Sequence, residues 1–208
     1  MAIKIYGRLS SANVQKINWF CEYANINVIN LNYGGIHGKT QTTEFKVMNP
    51  NSRVPVLDDD NFILYESNAI LRYLSKKFDI LVEEQKEISA KIDQWIDWGS
   101  FTFASPCSLL TAHKLSLPHD QRDELIADKA KNDIFSLLNI LNFHLAKKDF
   151  IVDKKFSLAD IPIGIWCHRC VNLNLSFDNF PNVNNWYVKL KKMNSFQNTV
   201  LSAPLPPN

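Results

Sequence analysis

Three groups of residues in this chain could carry chemistry. The first is Glu66-Ser67-Asn68, followed at helical spacing by the apolar residues Ala69, Ile70, Tyr73 and Leu74. A hydroxyl at a helix start sits beside free backbone N–H groups, which attract an anion, while Glu66 attracts a cation. That pair suits a zwitterionic amino-acid head group. The second group is Ser10-Ser11-Ala12-Asn13, two hydroxyls and an amide opening a helix whose apolar face is Val14, Ile17, Phe20, Cys21 and Ala24. These side chains either cap the helix or offer a donor to a bound group. The third is Cys167-His168-Arg169-Cys170, with the C-x-x-C spacing of a redox or zinc site. A redox pair wants a helix N-terminus to lower its thiolate pKa, and this one lies well past the cap expected at Ser157. Zinc needs further ligands, and the chain holds no second C-x-x-C and no H-x-x-x-H. These cysteines read as buried structural residues, with His168 and Arg169 capping or bridging helices. No metal is expected.

The elements that must position these groups follow from periodicity. Ile3 and Ile5 mark a buried first strand ended by Gly7, and Asn27 to Leu31 is a second, rich in β-branched residues. With the helix between them they make a βαβ unit. Asn32 to Thr43 is a polar loop containing Gly34, Gly35 and Gly38, and Glu44 to Met48 a short helical turn. After the turn cluster Asn49-Pro50-Asn51-Ser52, Val54 to Leu57 reads as a strand with Pro55 inside it. Asp58 to Asn61 is a turn and Phe62 to Leu64 a second strand, so the two form a hairpin.

Past Phe78 the pattern becomes helical. Asp79 to Gln85 reads as a linker. Ile88, Ile92, Trp95, Ile96 and Trp98 begin a long helix that Pro106 should end or kink. His119 and Asp120 open another, carried by Leu125, Ile126, Ile134, Leu137, Leu138, Leu141 and Leu145. Ser157 to Asp160 is a capping box with Asp in its third position, ahead of a run apolar enough to be buried on all sides. Shorter helices are expected over Val183–Met193 and Phe196–Leu201, with an extended APLPPN tail.

Length and composition bound the class. A chain of 208 residues forms one large or two small domains with a sizeable core. Its 46% hydrophobic and 21% charged content is that of a soluble globular protein, and a net charge of +2 points to no nucleic-acid partner. Four irregularly spaced cysteines imply no disulfide framework. The start MAIKIYGRL lacks the long apolar run of a signal peptide, and no stretch is long enough to span a membrane. A cytoplasmic location is the expectation.

NPNSRVPVL followed by ILYESNAILRYL resembles the glutathione-binding half of the glutathione S-transferase family. The βαβαββα order of residues 1–79 resembles that family's thioredoxin-like domain. The helices of residues 86–208, with Ser157-Leu158-Ala159-Asp160 at a central one, resemble its all-helical carboxy-terminal domain. The fold class expected is thus α/β followed by all-α.

The resemblance also implies a chemistry. Glu66 and Ser67 would hold the γ-glutamyl end of glutathione, Val54 would pair its backbone with the cysteinyl unit, and Pro55 would be cis. Lys39 and Arg53, with His37 as an alternative, would meet the glycine carboxylate. The thiol must ionise to act as nucleophile. One hydrogen bond to a charged group contributes about 1.5–3 kcal/mol, sufficient to lower a thiol pKa by roughly one to two. In the theta-like and bacterial serine-type branch a serine supplies it, which places Ser11 first, Ser10 second and Asn13 third. Tyr6 lies within the first strand, as core or subsite lining. The absence of cysteine before Trp19 argues against the cysteine-type classes. A small electrophile would meet Arg8, Trp98, Phe101, Ser105 and Trp166 between the two domains, in a homodimer. Two alternatives stand beside this transferase reading: a binding or interaction protein of the same family without turnover, and a glutathione-dependent disulfide reductase or peroxidase.

Overall fold

Strand β1 (Ile3–Tyr6) alternates buried and half-buried residues, the period expected of a strand with one face on a core. The computed structural model to which it belongs describes residues 3–206. Helix α1 (Ala12–Tyr23) follows and buries Val14, Ile17, Phe20 and Cys21, the face read from the sequence. Strand β2 (Val28–Leu31) returns parallel to β1, and the short helix α2 (Thr43–Met48) is capped by Thr42, whose hydroxyl accepts from the Phe45 amide.

The hairpin starts later than expected. β3 (Val56–Asp59) begins just after Pro55, which has no N–H to give to the ladder. Asp58 and Asp59, expected in the turn, are paired with Ile63 and Phe62 of β4 (Phe62–Tyr65). The turn is only Asp60-Asn61, with φ of 55° and 71°. Positive φ at both positions defines the two-residue turn whose twist matches a hairpin. The sheet order is β2-β1-β3-β4, and α3 (Ser67–Phe78) follows. This is the thioredoxin-like arrangement.

The rest is helical: α4 (Lys86–Asp97), α5 (Ala104–Thr111), α6 (Glu124–His144), α7 (Asp160–Asn172), α8 (Pro181–Lys191) and the short α9 (Asn194–Phe196). One expectation is narrowed here and another changes. Of the end or kink expected at Pro106, the helix does not end. A wide π turn over Trp98–Phe103 joins α4 to α5, and the helical course continues to Ser116. An i→i+5 turn just before a proline relieves the clash that its ring makes with an upstream carbonyl. Helix α6 starts at Glu124 rather than His119, because the Asp123 carboxylate accepts from the amides of Leu125 and Ile126. Leu125 is then 81% exposed, outside the apolar face.

The chain divides into two compact units. One holds the chain to Val82 together with Asn194–Leu205; the other holds Glu83–Met193. The sequence reading assigns the segment after Asn194 to the helical domain. In the structure it packs on α1, where the Trp19 indole donates to Ser195 Oγ (3.2 Å) and stacks edge-on against Phe196 (4.7 Å). The Pro-rich tail continues to Pro206, and its last two residues lie outside the described range.

Within the helical unit Asp160 is the hub. Its carboxylate accepts from the Ile151 amide (2.9 Å), the Ser157 amide (2.9 Å), the Ser157 hydroxyl (3.1 Å) and the Trp186 indole (2.8 Å). The capping box is therefore half of the expected one: the Ser157 hydroxyl donates to the carboxylate instead of accepting from the helix. Burial pushes the Asp160 carboxyl up to about 6, against the pull of these four donors. Gly99 lies against α7; a Cβ there would come within 2.7 Å of Ile163 Cγ1.

Candidate functional site

Two clusters form, one at the start of α1 and one at the start of α3. The first surrounds a cavity of about 240 Å³ lined by Arg8, Ser11, Gly34, Gly35, Arg53 and Val54, with Thr40 and Ser52. Ser11 occupies the N-cap position of α1, yet its hydroxyl makes no capping bond. Its backbone does the local work instead: the amide donates to the Arg8 carbonyl and the carbonyl accepts from the Gln15 amide. The hydroxyl is thus half-buried, beside a helix N-terminus, and uncommitted to the cap. Ser10 is turned inward, 6% exposed, with its own hydrogen-bonding environment.

Arg8 lies across Gly34-Gly35. A Cβ on Gly35 would meet Arg8 Cδ at 2.9 Å, so the glycine leaves room for the arginine side chain in this position and suits the φ of +58°. Val54 precedes a cis peptide to Pro55 and makes no main-chain hydrogen bond to another described residue. Its N–H and C=O are available to a ligand backbone. Arg53 is exposed at the rim. Lys39 is exposed outside this lining, with its ammonium 5.3 Å from the Tyr33 ring centre. Tyr6 packs edge-on against Tyr33 at 5.1 Å, and burial raises its phenol pKa, which keeps it neutral.

The second cluster is at the start of α3. Glu66 is the N-cap, exposed, with φ 69° and ψ 111°. That conformation lies outside the regions open to an L-residue and is held at a cost of about 1–3 kcal/mol. Ser67 is the first helical residue rather than the cap. Its hydroxyl donates to Asn13 Oδ1 (3.3 Å) and accepts from Lys16 Nζ (3.4 Å), which also donates to Asn68 Oδ1 (3.4 Å). Asn13 is therefore tied to Ser67. Lys16 was missed from sequence, where it interrupts an apolar helical face; that interruption was its one signal.

The candidates on the helical unit have different surroundings. Trp98 is half-buried and stacks on Phe103 (5.5 Å), while Phe101 is 73% exposed and Ser105 is exposed. Trp166 is buried in α7, and its indole N–H finds no acceptor among the described residues. Cys167 and Cys170 are buried and free, and Cys170 Sγ lies 3.5 Å from Cys107 Sγ. His168 Nε2 accepts from Asn172 (3.1 Å), so its Nδ1–H donates to the Tyr187 hydroxyl (2.7 Å), and burial draws its pKa down to about 4.

This geometry can be set beside known proteins. Residues 1–76 match the family model "Glutathione S-transferase, N-terminal domain" and residues 103–192 match "Glutathione S-transferase, C-terminal domain". A solved theta-class glutathione S-transferase from Xanthomonas axonopodis pv. citri, with glutathione bound, superposes with a TM-score of 0.92 at 30% identity over 97% of this chain and 98% of that one. This chain belongs to the glutathione S-transferase family.

Two further relatives carry different names, a transferase and an elongation factor. Glutathione S-transferase GstB of Escherichia coli (strain K12) is 28% identical over 96% of this chain and 98% of its own length. Elongation factor 1-gamma of Danio rerio is 32% identical over 73% of this chain, which spans 34% of that protein. Among the described residues no group of carboxylates, cysteines and histidines is arranged to hold a metal, and no helix is long and apolar enough to cross a membrane.

Proposed function

We propose that this protein is a glutathione transferase that binds glutathione across the two clusters and activates its thiol with the Ser11 hydroxyl for attack on a small electrophile. The observation that carries the reading is Ser11: an N-cap hydroxyl that does not cap, half-buried beside a helix N-terminus and on the same cavity as Arg8, Arg53 and Val54. Glu66 and the N-terminus of α3 would receive the γ-glutamyl amine and carboxylate. The free backbone of Val54 would pair with the cysteinyl unit, and Arg53 or Arg8 would meet the glycine carboxylate, with Lys39 further out. Ser10 is turned into the core, and Asn13 acts through Ser67, which leaves Ser11 as the thiol's donor. On the helical unit, half-buried Trp98 and exposed Phe101 and Ser105 suit contact with an electrophile better than buried Trp166 does. A cytoplasmic homodimer acting in detoxification completes the reading.

The test is turnover of a halonitrobenzene with glutathione. Ser11→Ala is expected to lower kcat/KM by about 10- to 100-fold, the value of one hydrogen bond to a thiolate, with KM for glutathione little changed. Turnover unaltered by that substitution would overturn the role of Ser11. Similarity to a protein named as an elongation factor and not as a transferase favours a second reading, a glutathione-binding module without turnover. Binding of glutathione by the wild type, with no turnover of halonitrobenzene, haloacetate, 2-hydroxyethyl disulfide or cumene hydroperoxide, would select it.

A further inference from the structure

Lys16 is 1% exposed, on a helix whose neighbouring positions Ile17, Trp19 and Phe20 are core. A buried amine is costly to desolvate, and leucine or methionine would fill the same space without that cost. Its ammonium instead reaches beneath the first turn of α3, donating to Ser67 Oγ and Asn68 Oδ1 at 3.4 Å each. Both of these acceptors are neutral. The Glu66 carboxylate pulls its pKa up, but burial is the larger effect and draws it down to about 7. The amine therefore lies near half-protonation at neutral pH, directly under the helix end that receives an anion in the glutathione reading.

We infer that Lys16 is a positioning residue for the γ-glutamyl carboxylate: it holds the Ser67 hydroxyl and the Asn68 side chain at the start of α3, and its amine takes up a proton from solvent when that carboxylate binds. The inference rests on the glutathione reading and deepens it. In the free protein the Ser67 hydroxyl gives its hydrogen to Asn13. An arriving carboxylate competes for that hydrogen, and the Lys16 ammonium keeps the Ser67 oxygen in place as the hydrogen turns. The carboxylate also brings an opposite charge close to the amine in a low-dielectric setting, which favours the ammonium. Binding and protonation are then linked, so glutathione should bind more weakly as pH rises above about 7.

S-methylglutathione is the probe, because it has no thiol to ionise. Calorimetric titration of the full-length wild type at pH 7.5, in buffers of different ionisation enthalpy, is expected to show uptake of roughly half a proton or more per site. Lys16→Met should abolish that uptake and weaken binding about tenfold or more. Lys16→Arg, permanently charged, should take up no proton and retain more affinity than the methionine variant. In turnover, Lys16→Met should raise KM for glutathione about tenfold and leave kcat at saturation within about threefold. A purely structural lysine would move neither the proton count nor the KM-to-kcat split in this way. Binding without proton uptake in the wild type, or an affinity of Lys16→Met within twofold of wild type, overturns the inference alone. No binding of S-methylglutathione to the wild type overturns the glutathione reading, and the Lys16 role with it. The wild-type proton count needs no variant, so it decides the question even where a substitution prevents folding.

Discussion

At Glu66 the main chain holds φ 69° and ψ 111°, a conformation that glycine, lacking Cβ, tolerates at lower cost than glutamate. Glu66→Gly should therefore raise stability by about 1 kcal/mol in urea unfolding while weakening glutathione binding. A loss of stability on that substitution would show that the glutamate side chain contributes to the fold. Lys16 makes the matching case in charge. Its pKa falls from 10.5 in the unfolded chain to about 7 in the folded one, so the folded state binds fewer protons between those values. Stability gained from this group therefore rises with pH from about 7 towards 10.5, and the cost of the buried ammonium is complete below 7. Relative to Lys16→Met, the wild type should gain about 2.5–3 kcal/mol between pH 6 and pH 9, read from urea unfolding at the two pH values.

At the scale of elements, the helical unit depends on one carboxylate. Asp160 satisfies four donors from three places in the chain, the Ile151 amide, Ser157 and the Trp186 indole, and it is fully buried. Asp160→Ala leaves those donors without an acceptor and should cost about 3–5 kcal/mol, read from the chemical-denaturation midpoint. An effect below about 1 kcal/mol would mean that the loop before α7 re-forms its bonds elsewhere. The sequence already showed a capping box at Ser157–Asp160 and a buried run behind it. It did not show Ile151 or Trp186, because both bonds join residues brought together only by folding. Pro106 makes the complementary point. Local rules end or kink a helix there, and a π turn just upstream absorbs the ring without ending the helix.

On the scale of the whole molecule, the chain's two compact units are not two consecutive stretches. Residues after Asn194 return to the thioredoxin-like unit and cover Trp19 with Phe196 and Ser195. Phe196→Ala should thus destabilise the chain by about 3–5 kcal/mol, as a fully buried aromatic truncated to a cavity does. A fragment ending at Val82 should unfold more readily than the same fragment supplied with residues 194–205 through a linker. Equal stability of the two fragments, measured by circular dichroism against temperature, would contradict this.

The sequence by itself determined the ligand-facing elements. The hairpin, the cluster Glu66-Ser67 at a helix start, the boundary at Asp79–Gln85 and the buried helix behind Ser157 are all local patterns of period, turn chemistry and capping, carried by neighbouring residues. Tertiary structure alone decided how the polar groups are shared. Ser67 proved to be the first helical residue, bonded to Asn13 and Lys16 from another helix, and Ser11 was left at an N-cap without a capping bond. Arg8 found its place against Gly34-Gly35, and the last helical segment found α1. Each of these contacts joins side chains from elements separated in sequence. A hydrogen bond or a packed ring depends on distance in space, which no spacing along the chain specifies.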